Sequence, residues 1–271
     1  MKREIFIYQI YYDDATKNLL DPGFIPLDNR HNVRPDWYEY WPIRSALLRG
    51  GFPRNSLIGF FSPKFKQKTG LTSSEVLRFL GRCEADLYNF SPYFDQSAFF
   101  YNVIDQAVAN HGPVNEVFHA AIDLMRLNQP ESLFVHDSRT VIFSNFFVAN
   151  YAVWEKWLTA CERLFYEAEF GGSDLSRLLI RSVRHATYDA QLKVFIIERV
   201  ISFLLDLNRH LKVARFPPLD LPMSGSRISK FPKDLLILDA LKIAFLESRQ
   251  RDYLRTYDLH RQDLIERVSH C

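Results

Sequence analysis

Residues 56–65 read SLIGFFSPKF. The apolar run from Leu57 to Phe61, closed by Ser62-Pro63, is the pattern of a strand buried on both faces, as in a parallel sheet covered by helices. Upstream, EIFIYQIY (Glu4 to Tyr11) is β-branched and aromatic and gives way to polar DDATKN, which predicts a first strand. Between them lies LDPGFIPLDNRHNVRPDW (residues 20–37), a Pro-, Asn- and Asp-rich loop whose length points to function. Asp36 is placed to cap a helix from Trp37 to about Leu48, with Gly50-Gly51 as its stop. Downstream, Thr72 and Glu75 have capping-box spacing for a helix to about Arg82. A third strand over Asp86 to Phe90 ends, like the one at 56–61, in Ser-Pro (Ser91-Pro92).

Helical spacing recurs over 95–110 and 115–127, with Gly112-Pro113 between them. Residues 132–135 and 140–148 read as strands, and Asn150 as the cap of a helix to about Glu169 that Gly171-Gly172 ends. A short helix over 174–184 and a longer one over 189–209 follow. Alternating strands and helices predict an α/β chain with a mostly parallel, Rossmann-like sheet flanked by helices, and such sheets bind ligands beyond the carboxyl ends of their strands. Pro217, Pro218, Pro222, Ser224, Gly225 and Ser226 mark a linker. The expected division is therefore a domain over 1–212 and a Pro-rich linker with a helical appendage over 213–271.

The composition agrees with a folded core. Of 271 residues, 47% are hydrophobic and 24% charged, far from the signature of disorder. Thirty-four Lys+Arg against 32 Asp+Glu leave a charge of +2, which gives no electrostatic reason to expect a nucleic-acid partner. Cys83, Cys161 and Cys271 lack disulfide-framework or zinc-ligand spacing, and a reducing compartment is expected. The N-terminus lacks a signal-peptide pattern, and the apolar run around Val194 to Leu207 is interrupted by Glu198, Arg199 and Asp206. It therefore falls short of the ~20 apolar residues of a membrane span. The 23 Phe and 13 Tyr suit an aromatic core, a sugar-stacking cleft, or both.

The doubled Ser-Pro endings bring chemistry to one rim. Ser62, Lys64, Lys66, Lys68 and Thr69 can neutralise a diphosphate, while Asp95 and Gln96 offer a carboxylate and an amide. The loop at 20–37 and its helix add Asp28, Asn29, Arg34, Asp36, Tyr40, Trp41 and Arg44, guanidinium groups for phosphate and ring faces for a base or sugar. Glu198 and Arg199 interrupt VFIIERVISFLL, so they pair, face a polar cleft, or both. His136-Asp137 is a weaker acid/base candidate. There is no Walker loop, GxGxxG or GxSxG, and no two Asp stand two apart, so the DxD metal clamp is missing.

Four blocks, LDNRHNVRPDWYEYWPIR (27–44), LIGFFSPKFKQKTGL (57–71), IFSNFFVANYAVWEKWL (142–158) and VFIIERVISFLL (194–205), resemble in order and spacing glycosyltransferases encoded in bacterial capsule and O-antigen clusters. The similarity covers about residues 4–210, with SPKF-x-x-KTGL its most specific part. The resemblance implies a GT-A-like sheet that moves a sugar from a nucleotide-sugar donor to a glycan or lipid-linked acceptor, in the cytoplasm or at the inner membrane face with peripheral association. In that scheme Gln9, Tyr11, Asp28, Asn29, Arg34, Arg44, Ser62, Lys64, Lys66, Thr69, Gln96 and Arg199 bind substrate. Asp95 is the first choice of base, followed by Asp137 and Glu198. No residue is assigned as a metal ligand, and without DxD the service of Mn²⁺ or Mg²⁺ stays open. The alternatives are a non-catalytic nucleotide- or glycan-binding module on the same fold, and a scaffold that docks partners through 213–271.

Overall fold

The computed structural model describes residues 3–111, 114–128, 134–185 and 188–270. In chain order the strands are β1 (Ile5–Tyr11), β2 (Ile25–Asp28), β3 (Leu57–Phe61), β4 (Leu87–Asn89), β5 (Phe147–Asn150), β6 (Ser182–His185), β7 (Tyr188–Gln191) and β8 (Val213–Arg215). The helices of the first half are α1 (Asp14–Lys17), α2 (Tyr40–Arg49), α3 (Phe65–Thr69), α4 (Ser73–Leu80), α5 (Phe94–Phe99), α6 (Val103–His111) and α7 (Asn115–Met125). Those of the second are α8 (Tyr151–Phe170), α9 (Asp174–Leu179), α10 (Leu192–Ile197), α11 (Val200–Leu207), α12 (Pro232–Ser248) and α13 (Arg251–Ser269).

Six strands form one mostly parallel sheet in the order β2-β1-β3-β5-β4-β8, in which β5 alone runs antiparallel to its neighbours β3 and β4. The α/β architecture expected from the strand-helix alternation is thus present, and the Ser-Pro ends of β3 and β4 share the carboxyl edge. All of β3 is buried, and its side chains alternate between two cores. Ile58 and Phe60 join one with α2, α6, α7, α8, α10 and α11, while Leu57 and Phe61 join the other with α3 and α4. Gly59 is paired with Val148, and a Cβ there would stand 2.8 Å from a Val148 methyl carbon, so the strand pair excludes any larger residue. The largest fully buried side chains are all Trp, Tyr or Phe, which places most of the aromatic content in the core. Phe61 and Phe65 stack at 4.0 Å, and the Trp154 indole N–H donates to the Ile58 carbonyl at 2.8 Å, tying α8 to β3.

Several expected elements differ. Asp36 does not cap the first long helix: Pro35–Trp37 is a 3-10 turn, and the Asp36 carboxylate is spent on Arg34 and Lys193. The helix expected over 95–110 is divided into α5 and α6. Thr140 to Phe146 is not strand, because side chains serve its backbone instead of a ladder. The Ile142 N–H donates to Ser202 Oγ, the Phe143 N–H to Ser91 Oγ, and the Val141 carbonyl accepts from Asn89 Nδ2. Of the strand expected at 132–135, Ser132 and Leu133 lie outside the described residues, and Phe134 and Val135 are irregular. The region 174–184 ends its helix at Leu179 and enters the β6-β7 hairpin. The helix expected over 189–209 is broken at Glu198-Arg199 into α10 and α11.

The expected boundary at 212/213 falls at the start of a sheet strand. Residues 213–215 are β8, parallel to β4, and Leu235, Leu238, Tyr257 and Leu264 of α12 and α13 share a core with Phe94, Ala98 and Phe99 of α5. The C-terminal segment is therefore packed into the fold. Among the described residues no helix is long and apolar enough to cross a membrane.

Candidate functional site

At the carboxyl edge of the sheet, a cavity of about 40 Å³ is lined by Trp37, Glu39, Tyr40, Ser62, Lys68, Ser144, Asn145, Val194, Ile197 and Glu198. Each element delivers its residue for a local reason. Ser62 follows β3 directly. Lys68 projects from α3, and its ammonium donates to Ser144 Oγ at 2.9 Å. Ser144 and Asn145 lead into antiparallel β5, whose first residue lies at this edge. Glu198 stands at the break between α10 and α11 and lines the cavity with its side chain 38% exposed. That break is held by Arg199, buried and donating to the carbonyls of Val103 (3.1 Å) and Phe195 (2.8 Å) and to Gln106 Oε1 (2.6 Å). The Arg199 guanidinium stands 4.0 Å from the Glu198 carboxylate, so the two pair, but only Glu198 lines the cavity, and the Arg199 donors are spent inside the fold instead of on a substrate.

Backbone strain gathers here. Of the positive-φ residues other than glycine, Arg126 and Arg249 are helix C-caps, where a left-handed residue is ordinary. Tyr93 (φ 68°) precedes α5 and is not part of the cavity lining, whereas Tyr38 (φ 46°), Ser144 (φ 57°) and Asn145 (φ 53°) stand in or beside the cavity wall. Such conformations persist where surrounding structure over-determines them, and they cluster at ligand sites. Asn145 is 5% exposed, and its side-chain oxygen has no hydrogen-bond partner. A buried acceptor left open in a cavity wall is one that a ligand donor would satisfy.

Burial, and next the Glu198 carboxylate, push the Glu39 carboxyl above its usual range, against the pull of Lys68 and Lys64. A carboxyl raised in this way accepts a proton more readily than an ordinary glutamate. With roughly 10–15 Å³ of cavity space needed per water, the cavity holds only a few waters or one small group. It can seat a reacting group, and the body of a larger ligand must lie over its mouth.

The other residues singled out in the sequence divide by their partners. Lys64 is exposed and close enough to act on Glu39. Lys66 is exposed and acts on Asp21 and Glu75. Gln9 is buried, donating to the Ser62 carbonyl at 3.4 Å and accepting the Asp21 N–H at 2.7 Å. Tyr11 packs under the Arg30 guanidinium, Asp28 pairs with Arg30 at 2.6 Å, and the Asn29 N–H donates to the Tyr11 carbonyl. Arg34 pairs with Asp36 (2.9 Å) and Glu169 (2.5 Å), and Arg44 with Glu162 (2.5 Å). The Thr69 hydroxyl donates to the Phe65 carbonyl. Asp95 and Gln96 bind the segment at Ser224 and Ser226. Asp137 is fully buried and paired with Arg139 at 2.6 Å, and burial lowers the pKa of its neighbour His136 to about 3. The structure thus brings Ser62 and Glu198 to the cavity with Lys64 beside it, and gives Arg34, Asp95 and Asp137 other work.

Glu39, Ser144 and Asn145 were not singled out. Their signal was the one that exposed Glu198: Glu39 stands inside the aromatic run WYEYW, and Ser144-Asn145 inside IFSNFF, polar groups where an apolar surface is expected. Among the described residues no three His, Cys, Asp or Glu are grouped to hold a metal ion. A wider groove of about 410 Å³, lined by Leu127, Lys156, Arg163, Leu204 and Leu207, opens among α7, α8 and α11. It lacks a carboxylate pair. No family model, curated protein or solved structure matches the chain.

Proposed function

We propose that the chain is a glycosyltransferase that moves a sugar from a nucleotide-sugar donor to a cell-surface polysaccharide acceptor of the capsule or O-antigen kind, on a GT-A-like fold. One observation carries this reading. Every residue lining the carboxyl-edge cavity falls within the four blocks that resemble such enzymes, although those blocks lie as far apart as residues 37 and 198. Blocks alike only for packing reasons would have no cause to converge on one polar cavity.

The chemistry asked of the cavity is the formation of a bond from an acceptor oxygen to the anomeric carbon while the bond from that carbon to the diphosphate breaks. The acceptor proton passes to a carboxylate, and Glu39 is the base, its basicity raised by burial and by Glu198. Glu198 faces the positive charge that develops on the sugar ring. Lys68, with Lys64 at the mouth, meets the charge of the departing diphosphate. Peripheral placement at the inner membrane face, where such acceptors are assembled, belongs to the same reading.

A panel of nucleotide sugars tests it. Wild-type protein should consume one donor, and Glu39→Gln and Glu198→Gln should each lose on the order of 10²-fold or more in kcat with donor binding retained. Donor binding without any turnover would instead identify a binding module.

A further inference from the structure

Along α8, Ala152, Glu155, Lys156, Thr159, Ala160 and Arg163 recur at helical spacing and line one groove, which therefore runs about 16 Å at a rise of roughly 1.5 Å per residue. The small side chains of Ala152, Thr159 and Ala160 keep its floor low. The chain at the ends of α7 and α11 supplies apolar walls in Met125, Leu127, Leu204 and Leu207. One wall is fixed by Arg163, whose Nη1 donates to the Met125 carbonyl at 2.8 Å. The groove offers about 410 Å³, within the range of small-molecule sites, and shares no lining residue with the carboxyl-edge cavity.

Its charges are one-sided. Arg126, Lys156 and Arg163 stand against the carboxylate of Glu155. Among the described residues the exposed side chains of Arg126 and Lys156 have no ion-pair or hydrogen-bond partner. An apolar trough with an excess of cationic groups is complementary to a molecule with an apolar body and an anionic end. The volume decides the body. A helix is about 10–12 Å across with its side chains, so ~16 Å of helix fills more than ~1,000 Å³ and would stand clear of the groove. A single extended alkyl chain of about a dozen carbons matches the length and lies within the volume. Burial decides how it is reached. Met125, Leu127, Ala160 and Leu204 are 1–6% exposed, so a chain must enter the groove to meet them, which the surface of an intact bilayer does not do.

We propose that this groove binds a monomeric single-chain amphiphile, its alkyl chain laid along α8 and its phosphate head held by the cationic side chains of the lining. The site is independent of the chemistry at the carboxyl-edge cavity.

The test is titration of the full chain with hexyl, octyl and decyl phosphate below their micellar concentrations, read by isothermal calorimetry. Binding should saturate at one per chain and tighten about fourfold for each added CH₂. Inorganic phosphate and neutral decyl maltoside each carry one half of the ligand and should bind at least about tenfold more weakly than decyl phosphate. Lys156→Glu should weaken decyl phosphate about tenfold. Thr159→Trp, which fills the groove from an exposed position, should abolish the gain with chain length. Binding that does not saturate, equal affinity for decyl phosphate and decyltrimethylammonium, or no effect of either substitution overturns the proposal. So does binding to phosphatidylglycerol vesicles with none to the monomers, which would make the groove part of a membrane-facing surface.

Discussion

Asp95 accepts the backbone N–H of Ser224 at 2.9 Å, a bond spanning 129 residues. The same carboxylate accepts from the hydroxyls of Ser224 and Ser226 and from Gln96 Nε2. A fully buried carboxylate with four donors is a clamp on the segment that follows β8. Asp95→Ala should therefore cost about 2–3 kcal/mol of stability, since the Ser224 N–H loses its acceptor. Denaturant titration reads this loss, and transfer measured on the folded fraction should stay close to wild type.

Lys242 holds the other side of the same junction. Its ammonium, buried on α12, donates to the carbonyls of Ser97, Phe100 (2.7 Å) and His136 (2.8 Å). Lys242→Met keeps much of the volume and leaves those carbonyls without donors, a loss of about 3 kcal/mol or more. Faster hydrogen exchange along α12, together with a lower urea midpoint, is the expected signature, and an unchanged midpoint would contradict it.

These contacts explain what could be read from the residues alone. Strands β1, β3 and β4, the Thr72–Glu75 capping box and the Asn150 cap were legible because each depends on neighbours in sequence. The place of 213–271 was not, because β8 is short and joins the sheet through distant β4, and Asp95 and Lys242 act on residues more than a hundred positions away. The site was legible by half for the same reason. Glu198 was visible as a charge in an apolar run, whereas Arg34 looked available until Glu169, on the far end of α8, neutralised it.

The raised Glu39 carboxyl makes stability depend on pH with a definite sign. The folded chain binds this proton more tightly than the unfolded chain does. Below the ordinary glutamate range of about 4.3 both states hold it and the group has no effect. As pH rises, the unfolded form ionises first and stability is lost up to the folded-state pKa. Glu39→Gln removes the penalty, so it should melt above wild type at pH 8, with the gap closing near pH 4. A gap that widens on acidification would reverse the assignment.

Asn145 offers a sharper separation of fold from function. Its left-handed backbone suits glycine at least as well as asparagine, and its side-chain oxygen leaves no partner behind in the protein. Asn145→Gly should therefore match or exceed the wild-type Tm, where deletion of a structural asparagine would lower it. A ligand that supplies the missing donor would lose that bond, and nucleotide-sugar affinity should fall about tenfold or more, since hydrogen-bonding sites discriminate strongly once a partner is absent. Thermal melts and isothermal titration on the same preparation check both halves. An unchanged Kd with unchanged Tm would show that this oxygen faces no ligand, and the cavity's polar wall would then have to be explained by Lys68 and Ser144 alone.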